Sequence, residues 1–257
     1  MSEERGIPFT SFTPEEKAAV KIVVSDVDDT ITKRGKLYPD ALRALWLLKR
    51  SGAMVVLLTG GSAGWADAYI RQWPVDAVIA ESGALILAHG KGGKILYSKN
   101  PALDPDAKEK KDKLIRYTAG LAFSSDQYAR QYDIAYEKSA LQDYERRTLA
   151  NYVKAMGGVW RESSIHINVG FGHFDKHTSL SYFMDSLYSI DSERLKREGI
   201  YFGDSLNDSD MFAYMPLSVG MHSVEDMRSS FPVLPRYITN GYGGDGFVEA
   251  AKALVEE

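Results

Sequence analysis

The chain has 257 residues, which is enough for one large α/β domain or for a core domain with a smaller insert. Lys and Arg number 31 and Asp and Glu 35, so the net charge of −4 disfavours nucleic acid as the main partner. The sequence contains no cysteine, which excludes disulfides, thiolate catalysis and cysteine-ligated zinc.

The N-terminal segment carries little structural signal. Residues 1–17 are mostly polar and are expected to form a loose arm. The charged start lacks the apolar stretch of a signal peptide, and no apolar run reaches the length of a membrane span. The sequence therefore predicts a cytoplasmic protein with no membrane partner.

From residue 21 the sequence alternates buried strands with amphipathic helices. Apolar runs predict strands at 22–25, 54–58 and 77–80. Pro39 suits the first position of a helix that stops at Gly52, and Ser62 can cap a helix that runs to about Trp73. Continuous apolar strands separated by helices indicate a parallel sheet that is covered on both faces.

This rhythm changes near Gly83. The pattern predicts a hairpin at 84–98, helices at about 104–121 and 143–156, and strands at 132–137, 158–161 and 164–169. In the last strand Ile165, Ile167 and Val169 alternate with polar residues, which is typical of an antiparallel sheet with one buried face.

The α/β rhythm returns in the last third of the chain. A helix is predicted at 176–188, a strand at 200–202, a helix through 211–212, short strands at 217–219 and 237–238, and a last helix at 246–255. We therefore predict a Rossmann-like parallel α/β core, residues 1–83 and 174–257, interrupted by an inserted α+β cap domain at 84–173.

Polar side chains follow the predicted core strands. Asp26 and Asp28 come after the first strand, Thr59 after the second, and Asp204, Asn207 and Asp208 after the strand at 200–202, while Lys176 opens the helix after the insert. Because the carboxyl ends of parallel strands form the ligand crevice of such sheets, we expect these residues to converge.

A cluster of this kind points to a metal and to phosphate chemistry. Asp26 and Asp204 side by side would repel by about 4 kcal/mol at about 4 Å and an effective dielectric constant of about 20. A divalent cation removes this repulsion, and oxygen ligands favour Mg²⁺. An ionised aspartate can attack phosphorus, and a second carboxylate with a raised pKa can act as acid and base.

Lys176 and the loop after Thr59 would supply phosphate contacts. A cation in the first turn of a helix opposes the helix dipole, and pairing with Asp26 or a phosphate would offset this cost. Backbone amides after Thr59 can hold phosphate oxygens at a helix start. Taken singly, these features have plainer explanations: a turn or cap at Asp26–Asp29, a turn at Thr59–Gly61, and a surface lysine at Lys176.

Together the motifs identify a family. Asp26-Val27-Asp28-Asp29-Thr30, Thr59-Gly60-Gly61, Lys176 and Gly203-Asp204-Ser205-Leu206-Asn207-Asp208 resemble, in order, the four motifs of haloacid dehalogenase superfamily phosphatases. An insert between the second and third motifs, with Glu81-Ser82-Gly83-Ala84 at its start, is similar to the Cof-type group that includes sucrose-phosphate phosphatases.

The resemblance implies a role for each motif residue. Asp26 is the expected nucleophile and a Mg²⁺ ligand, and Asp28 the acid/base that also offers its backbone carbonyl to the metal. Thr59, Gly60, Gly61, Lys176 and Asn207 are expected to bind the phosphorylated substrate, and Asp204 and Asp208 to complete the metal site. Gly61 and Ser82 depart from the Arg and Asn that many Cof-type members have there, which weakens transfer of any particular substrate.

The expected activity is Mg²⁺-dependent hydrolysis of a small phosphorylated metabolite, with a sugar phosphate as the expected class. A phosphomutase or phosphotransferase that uses the same aspartyl-phosphate is an alternative, and a phosphate-responsive binding protein is a less favoured one. Specificity is expected to lie in the insert, where His166, Asn168 and, near its end, His173 are candidates for substrate contact or for ordinary packing. The motifs leave the substrate and the oligomeric state open.

Overall fold

The computed structural model describes residues 5–163 and 165–255. Met1–Glu4 of the predicted arm, Ser164 of the predicted strand 164–169, and the last two residues lie outside the described residues. None of the helices in the described parts of the chain has the length and apolar content that a membrane crossing requires.

Twelve strands and ten α-helices are described within these residues. The strands are β1 Ile7–Pro8, β2 Ile22–Ser25, β3 Met54–Leu58, β4 Ala77–Ala80, β5 Leu85–His89, β6 Ile95–Lys99, β7 Ile134–Glu137, β8 Val159–Glu162, β9 His166–Gly170, β10 Gly199–Gly203, β11 Ser218–Gly220 and β12 Tyr237–Ile238. The helices are α1 Pro14–Ala19, α2 Pro39–Arg50, α3 Ala63–Gln72, α4 Ala107–Tyr117, α5 Asp143–Ala155, α6 Lys176–Tyr188, α7 Ser192–Glu198, α8 Ser209–Tyr214, α9 Ser223–Asp226 and α10 Gly244–Val255.

Nine strands form one sheet in the order β1-β12-β11-β10-β2-β3-β4-β5-β6. In this sheet order, all neighbouring strands from β1 through β12 and β2 to β4 pair in parallel. Strand β5 runs antiparallel to β4, and β6 runs antiparallel to β5. At the centre, β2 pairs with β3 on one side and with β10 on the other, so Val23 lies beside both Val55 and Ile200. Buried apolar residues pack on both faces of the sheet, which confirms the predicted α/β class.

The remaining strands form a separate antiparallel sheet in the order β7-β9-β8. Ile167 and Val169 are fully buried in the apolar cluster beneath this sheet, as the alternating pattern predicts. Ile165 is 43% exposed, because it precedes the first paired residue of β9. The opposite face of β9 carries His166 and Asn168.

The hairpin β5–β6 belongs to the core sheet rather than to the insert. Strand β5 pairs with β4 along its length, for example Ile79 with Ile86. This differs from the predicted cap of 84–173, because the choice of a sheet partner for a hairpin is not encoded in the hairpin itself. We propose that the cap consists of residues 101–173, joined to the core by two adjacent connections that bridge at Leu103 and Gly172.

The predicted loose arm is wrong for its described part. Strand β1 pairs with β12, and Phe9 and Phe12 stack on each other and contact the ring of Tyr237 edge-on. Arg5 donates to the carbonyl of Phe212 at 2.9 Å. The partner residues in these contacts come from the other end of the sequence, so the polar composition of the arm itself could not reveal them.

Candidate active site

Asp26 lies at the carboxyl end of the central strand β2. Its backbone N–H donates to the carbonyl of Phe202 at 2.9 Å, which places it beside the end of β10. The side chain is buried, and burial together with the charges of Asp208 and Asp28 raises the pKa of Asp26 to about 7 against the opposing effect of Lys176. A buried carboxylate of this kind needs a positive partner.

Lys176 supplies that partner from the first turn of α6. Its Nζ atom lies 3.0 Å from Oδ1 of Asp26 and 2.7 Å from Oδ1 of Asp208. Burial disfavours its charge, but Asp208 and Asp26 together raise the pKa of Lys176 above its usual value. Asp175 caps α6 by accepting from the N–H of Thr178, so the helix start that carries the lysine is well defined.

Asp208 is held by hydrogen bonds inside the protein. Its Oδ1 accepts from Lys176 and from the hydroxyl of Tyr201 at 2.6 Å, and its Oδ2 accepts from the N–H groups of Asp204 and Ser205 at 3.0 and 3.1 Å. The side chain is fully buried, and these bonds lower its pKa despite burial. Because both oxygens are occupied, the arrangement favours support of Lys176 over the predicted role of metal ligand.

Asp204 is the second carboxylate available to a cation. It follows β10, is buried, and accepts from the hydroxyl of Thr30 at 3.1 Å. Oxygens of Asp26, Asp204 and Asp208 lie within 4.8 Å of one another. Burial and the charges of Asp208 and Asp26 raise the pKa of Asp204 well above its usual value.

The charge balance and donor set of this cluster fit a divalent cation. Three buried carboxylates face one ammonium group, and no other Lys or Arg in the described ranges pairs with them. With all three ionised, two negative charges would be uncompensated where water is scarce, and the raised pKa values of Asp26 and Asp204 reflect this cost, which a divalent cation would remove. All the side-chain donors are carboxylate oxygens, the ligand type that Mg²⁺ prefers.

Asp28 lies on the wall of a cavity of about 380 Å³ that opens above Asp26. The enclosing walls and the charge of Asp29 raise the pKa of Asp28, and His166 opposes the shift. The cavity is also lined by the predicted residues Gly60, Gly61, Asp204 and Asn207. The structure thus brings together the residues that the four motifs single out, with Lys176 and Asp208 directly behind Asp26.

The loop Thr59–Gly61 borders the same cavity. Thr59 is buried, and its Oγ1 accepts from the N–H of Gly61 at 2.9 Å. The next amides are already occupied, because Ser62 N–H donates to Asp126 and Ala63 N–H donates to Glu81. The start of α3 therefore offers fewer free amides than the sequence suggests.

The core and the cap supply chemically different walls. Trp65 and Tyr69 on α3 and Trp73 at its C-cap, spaced four residues apart, form an aromatic wall, with ring centroids 5.8 and 4.2 Å apart. The cap side is mostly polar and carries Arg161, Ser163, His166 and Asn168, with Ile165 as an apolar member. The Nε2 atom of His166 lies 3.3 Å from Oε1 of Glu137. His173, a weaker candidate, is not among the residues that line the cavity.

A buried polar network that the sequence did not reveal joins the cap to the core. Arg130, whose side chain is 1% exposed, pairs with Asp126 at 3.1 Å and with Asp133 at 2.9 Å. Glu81 in the core accepts four backbone N–H bonds, which come from Ala63, Gln131, Tyr132 and Asp133. In the sequence, the position of Glu81 at the start of the insert is the one signal for this network. Arg130 gives no signal, because it lies in a loop without a periodic pattern.

Comparison with known proteins agrees with this site. The model of the haloacid dehalogenase-like hydrolase family matches residues 23–139 and 107–228, which together span most of the chain and confirm the motif resemblance. No curated protein matches the sequence.

Solved structures share the fold at low sequence identity. A Thermoplasma acidophilum protein is 16% identical with a TM-score of 0.71, and the match covers 91% of this chain and 98% of that one. The C-terminal domain of trehalose-6-phosphate phosphatase from C. albicans is 13% identical with a TM-score of 0.70, over 99% of both chains. A HAD superfamily phosphatase from Bacteroides thetaiotaomicron is 18% identical with a TM-score of 0.63, over 95% and 98% of the two chains.

Proposed function

This chain belongs to the haloacid dehalogenase-like hydrolase family, and we propose that it is a Mg²⁺-dependent phosphatase that hydrolyses monoesters of small metabolites through an aspartyl-phosphate. The observation that carries the proposal is the placement of Asp26 at the floor of the cavity. There it is paired with Lys176, lies next to Asp204, and shares the cavity with Asp28.

In the first step Asp26 attacks phosphorus. A bond forms between a carboxylate oxygen of Asp26 and phosphorus, and the bond from phosphorus to the ester oxygen breaks. Asp28 donates its proton to the leaving oxygen, a task that suits a carboxyl group whose pKa is raised. The alcohol product then leaves.

In the second step Asp28, now ionised, takes a proton from a water molecule. The water oxygen bonds to phosphorus, the bond between phosphorus and Asp26 breaks, and inorganic phosphate is released. Mg²⁺ held by Asp26, Asp204 and the backbone carbonyl of Asp28 would neutralise charge on the phosphoryl oxygens.

Lys176 and the loop Thr59–Gly61 hold the phosphoryl group. The ammonium group of Lys176 has three donors, two of which reach Asp26 and Asp208, so one is left for a phosphoryl oxygen. Thr59 uses its oxygen as an acceptor from Gly61 N–H, which leaves its hydroxyl proton to donate. Asn207 lines the same cavity and offers a further polar side chain to the phosphoryl group.

A sugar phosphate is the substrate class that the cavity walls favour. A sugar ring has apolar C–H faces and a polar edge, which match the aromatic wall of α3 and the polar cap side with His166 and Ser163. A structurally similar protein is named as a trehalose-6-phosphate phosphatase, which adds support. The cavity volume of about 380 Å³ suits a monosaccharide or disaccharide phosphate rather than a polymer.

The proposal is tested by measuring inorganic phosphate release from sugar phosphates, nucleotides and phosphoglycerate derivatives. Each substrate is tested with Mg²⁺ and after treatment with EDTA. We expect Mg²⁺-dependent release that is fastest for a sugar phosphate. Transfer of phosphate to a second sugar without free phosphate would indicate a phosphotransferase, and no turnover of any ester would contradict the phosphatase assignment.

A further inference from the structure

We infer that Arg130 and Asn168, two residues of the cap, are positioning residues for the loop Thr59–Gly61. Both donate to the carbonyl oxygen of Gly60, at 3.0 Å from Nη1 of Arg130 and 3.1 Å from Nδ2 of Asn168. In this role they act through the loop peptide and not through the substrate. The inference rests on the proposed function, because it takes the loop as the part that binds phosphate.

The middle peptide of this loop depends on the cap, whereas its neighbours depend on the core. The carbonyl of Thr59 accepts from the N–H of Ser82 at 3.1 Å, and the carbonyl of Gly61 accepts from the N–H of Glu81 at 3.0 Å. A carbonyl oxygen has two lone pairs, and those of Gly60 are both filled from the cap.

Holding the Gly60 carbonyl also orients the donors of the loop. The peptide is planar, so the N–H of Gly61 points away from that carbonyl and reaches Oγ1 of Thr59 at 2.9 Å. This bond keeps the hydroxyl proton of Thr59 free to donate. Across residues 5–163 and 165–255, the N–H of Gly60 also has no hydrogen-bond partner. The loop therefore keeps two donors: the Thr59 hydroxyl, which is oriented through the Gly61 N–H of the peptide that the cap holds, and the Gly60 N–H, whose own peptide is held by Ser82 of the core.

The two cap donors are themselves well fixed. Asp133 accepts from Arg130 at 2.9 Å and from Asn168 at 3.0 Å, and Asp126 accepts from the Nε atom of Arg130. Both Arg130 and Asn168 are buried, so water does not compete strongly for their hydrogen bonds. The cap therefore sets the geometry of phosphate binding for every substrate, whichever sugar the ester carries.

The test replaces Asn168 by leucine, which is similar in size and cannot donate. Gly60 and Asp133 keep Arg130 as a partner in this variant, so no buried charge loses its counter-charge. The matched control is Asn151→Leu, an exposed asparagine on α5 of the same cap. Binding of inorganic phosphate in the presence of Mg²⁺ is measured by calorimetry. The values of kcat and KM are measured with acetyl phosphate, a substrate that has no ring.

We expect Asn168→Leu to weaken phosphate binding about tenfold and to lower kcat/KM for acetyl phosphate by a similar factor, because a buried hydrogen bond is lost. A purely structural role would lower the melting temperature but leave the phosphate affinity of the folded protein unchanged. Affinity and kcat/KM within twofold of wild type would overturn the inference. If Asn168→Leu does not fold, Asn168→Ser, whose side chain is too short to reach Gly60, is measured with the same expectations.

The experiment separates this inference from the proposed function. Turnover by the wild-type protein together with unchanged phosphate affinity and kcat/KM in Asn168→Leu, or in Asn168→Ser where that variant replaces it, would contradict the positioning role alone. Absence of turnover by the wild-type protein, with phosphate binding still weakened in Asn168→Leu, would contradict the phosphatase assignment and support the positioning role.

Discussion

The ammonium group of Lys176 lies 3.0 Å from Asp26, with both side chains almost inaccessible to solvent. The same nitrogen also contacts Asp208, so a single lysine serves two buried carboxylates. This contact joins the start of α6 to the end of the central strand, over a sequence separation of 150 residues. The reactive carboxylate is therefore oriented before any substrate arrives.

Replacing Lys176 by methionine should destabilise the fold by about 3–5 kcal/mol, because Asp26 and Asp208 would lose their buried counter-charge. Urea unfolding at about pH 8, where carboxylates in water are ionised, measures the loss. Lys33, which pairs with Asp245 at the surface, provides the control, and Lys33→Met should cost less than about 1 kcal/mol. Equal costs for the two variants would contradict the buried-pair argument, and adding Asp208→Asn to Lys176→Met should recover part of the stability.

Replacing Asp26 by asparagine should lower kcat by at least about 1,000-fold, because the amide cannot attack phosphorus. The variant should remain folded, since asparagine has nearly the same shape and removes a buried charge. Circular dichroism and phosphate release are the two measurements. Asp185→Asn, at an exposed aspartate on α6, is the matched control and should retain activity within about threefold. Turnover by Asp26→Asn at the wild-type rate would rule out the aspartyl-phosphate route.

Mg²⁺ should bind more tightly as the pH rises toward 8. The pKa of Asp26 is raised to about 7 in the fold, above its value of 3.8 in a flexible chain. The protonated side chain of Asp26 therefore stabilises the metal-free fold. This stabilisation is fully present below pH 3.8 and is lost as the pH rises through about 7. Because the cation must displace this proton, its affinity should be at least about tenfold weaker at pH 5.5 than at pH 8.

Thermal unfolding with EDTA and with Mg²⁺ at these two pH values checks this linkage. The Mg²⁺-induced rise in melting temperature should be larger at pH 8, since binding to the folded state alone adds stability in proportion to ln(1 + [Mg²⁺]/Kd). In Asp26→Asn the pH dependence of this rise should shrink. A rise that is the same at both pH values would mean that proton release from the site is not coupled to metal binding.

Replacing Trp65 by alanine should reduce kcat/KM for the preferred sugar phosphate about 5- to 30-fold, equivalent to about 1–2 kcal/mol of lost contact with the ring. Acetyl phosphate, which has no ring to stack, should be hydrolysed at an unchanged rate. Trp46 on α2 is similarly exposed and lies outside the cavity, so Trp46→Ala is the control. An equal loss on both substrates would indicate that Trp65 supports the catalytic loop and does not select sugars.

The core of the site could be predicted from sequence because its signals are local. Asp26 and Asp204 follow short apolar runs, and the convergence of parallel strand ends brings them together. Helix α6 was predicted at its observed bounds, 176–188, because its apolar residues fall regularly on one face, and the structure adds a cap at Asp175. The pairing of Lys176 with Asp26 or with a phosphate was predicted because a cation in the first turn of a helix interacts unfavourably with the helix dipole unless a negative charge is close to it.

The connection between cap and core could not be predicted in the same way. Arg130 and Asp126 lie in a loop whose only regular element is a short 3-10 turn at 127–129. Their positions depend on Glu81, which captures the backbone of Gln131, Tyr132 and Asp133 from a distant part of the chain. Likewise Phe9 was predicted in a loose arm because the side chain it packs against, Tyr237, belongs to the other end of the sequence.

The pairing of β2 with β10 has a consequence for how the protein folds. The centre of the sheet is complete only when β10 pairs with β2. Until then one hydrogen-bonding edge of β2 stays unpaired, and during synthesis this lasts while the whole cap is made. Contacts between such distant segments fold slowly, because a long loop must close before they form. During that interval the exposed edge of β2 is a place where another chain could pair, so refolding yield should fall as protein concentration rises.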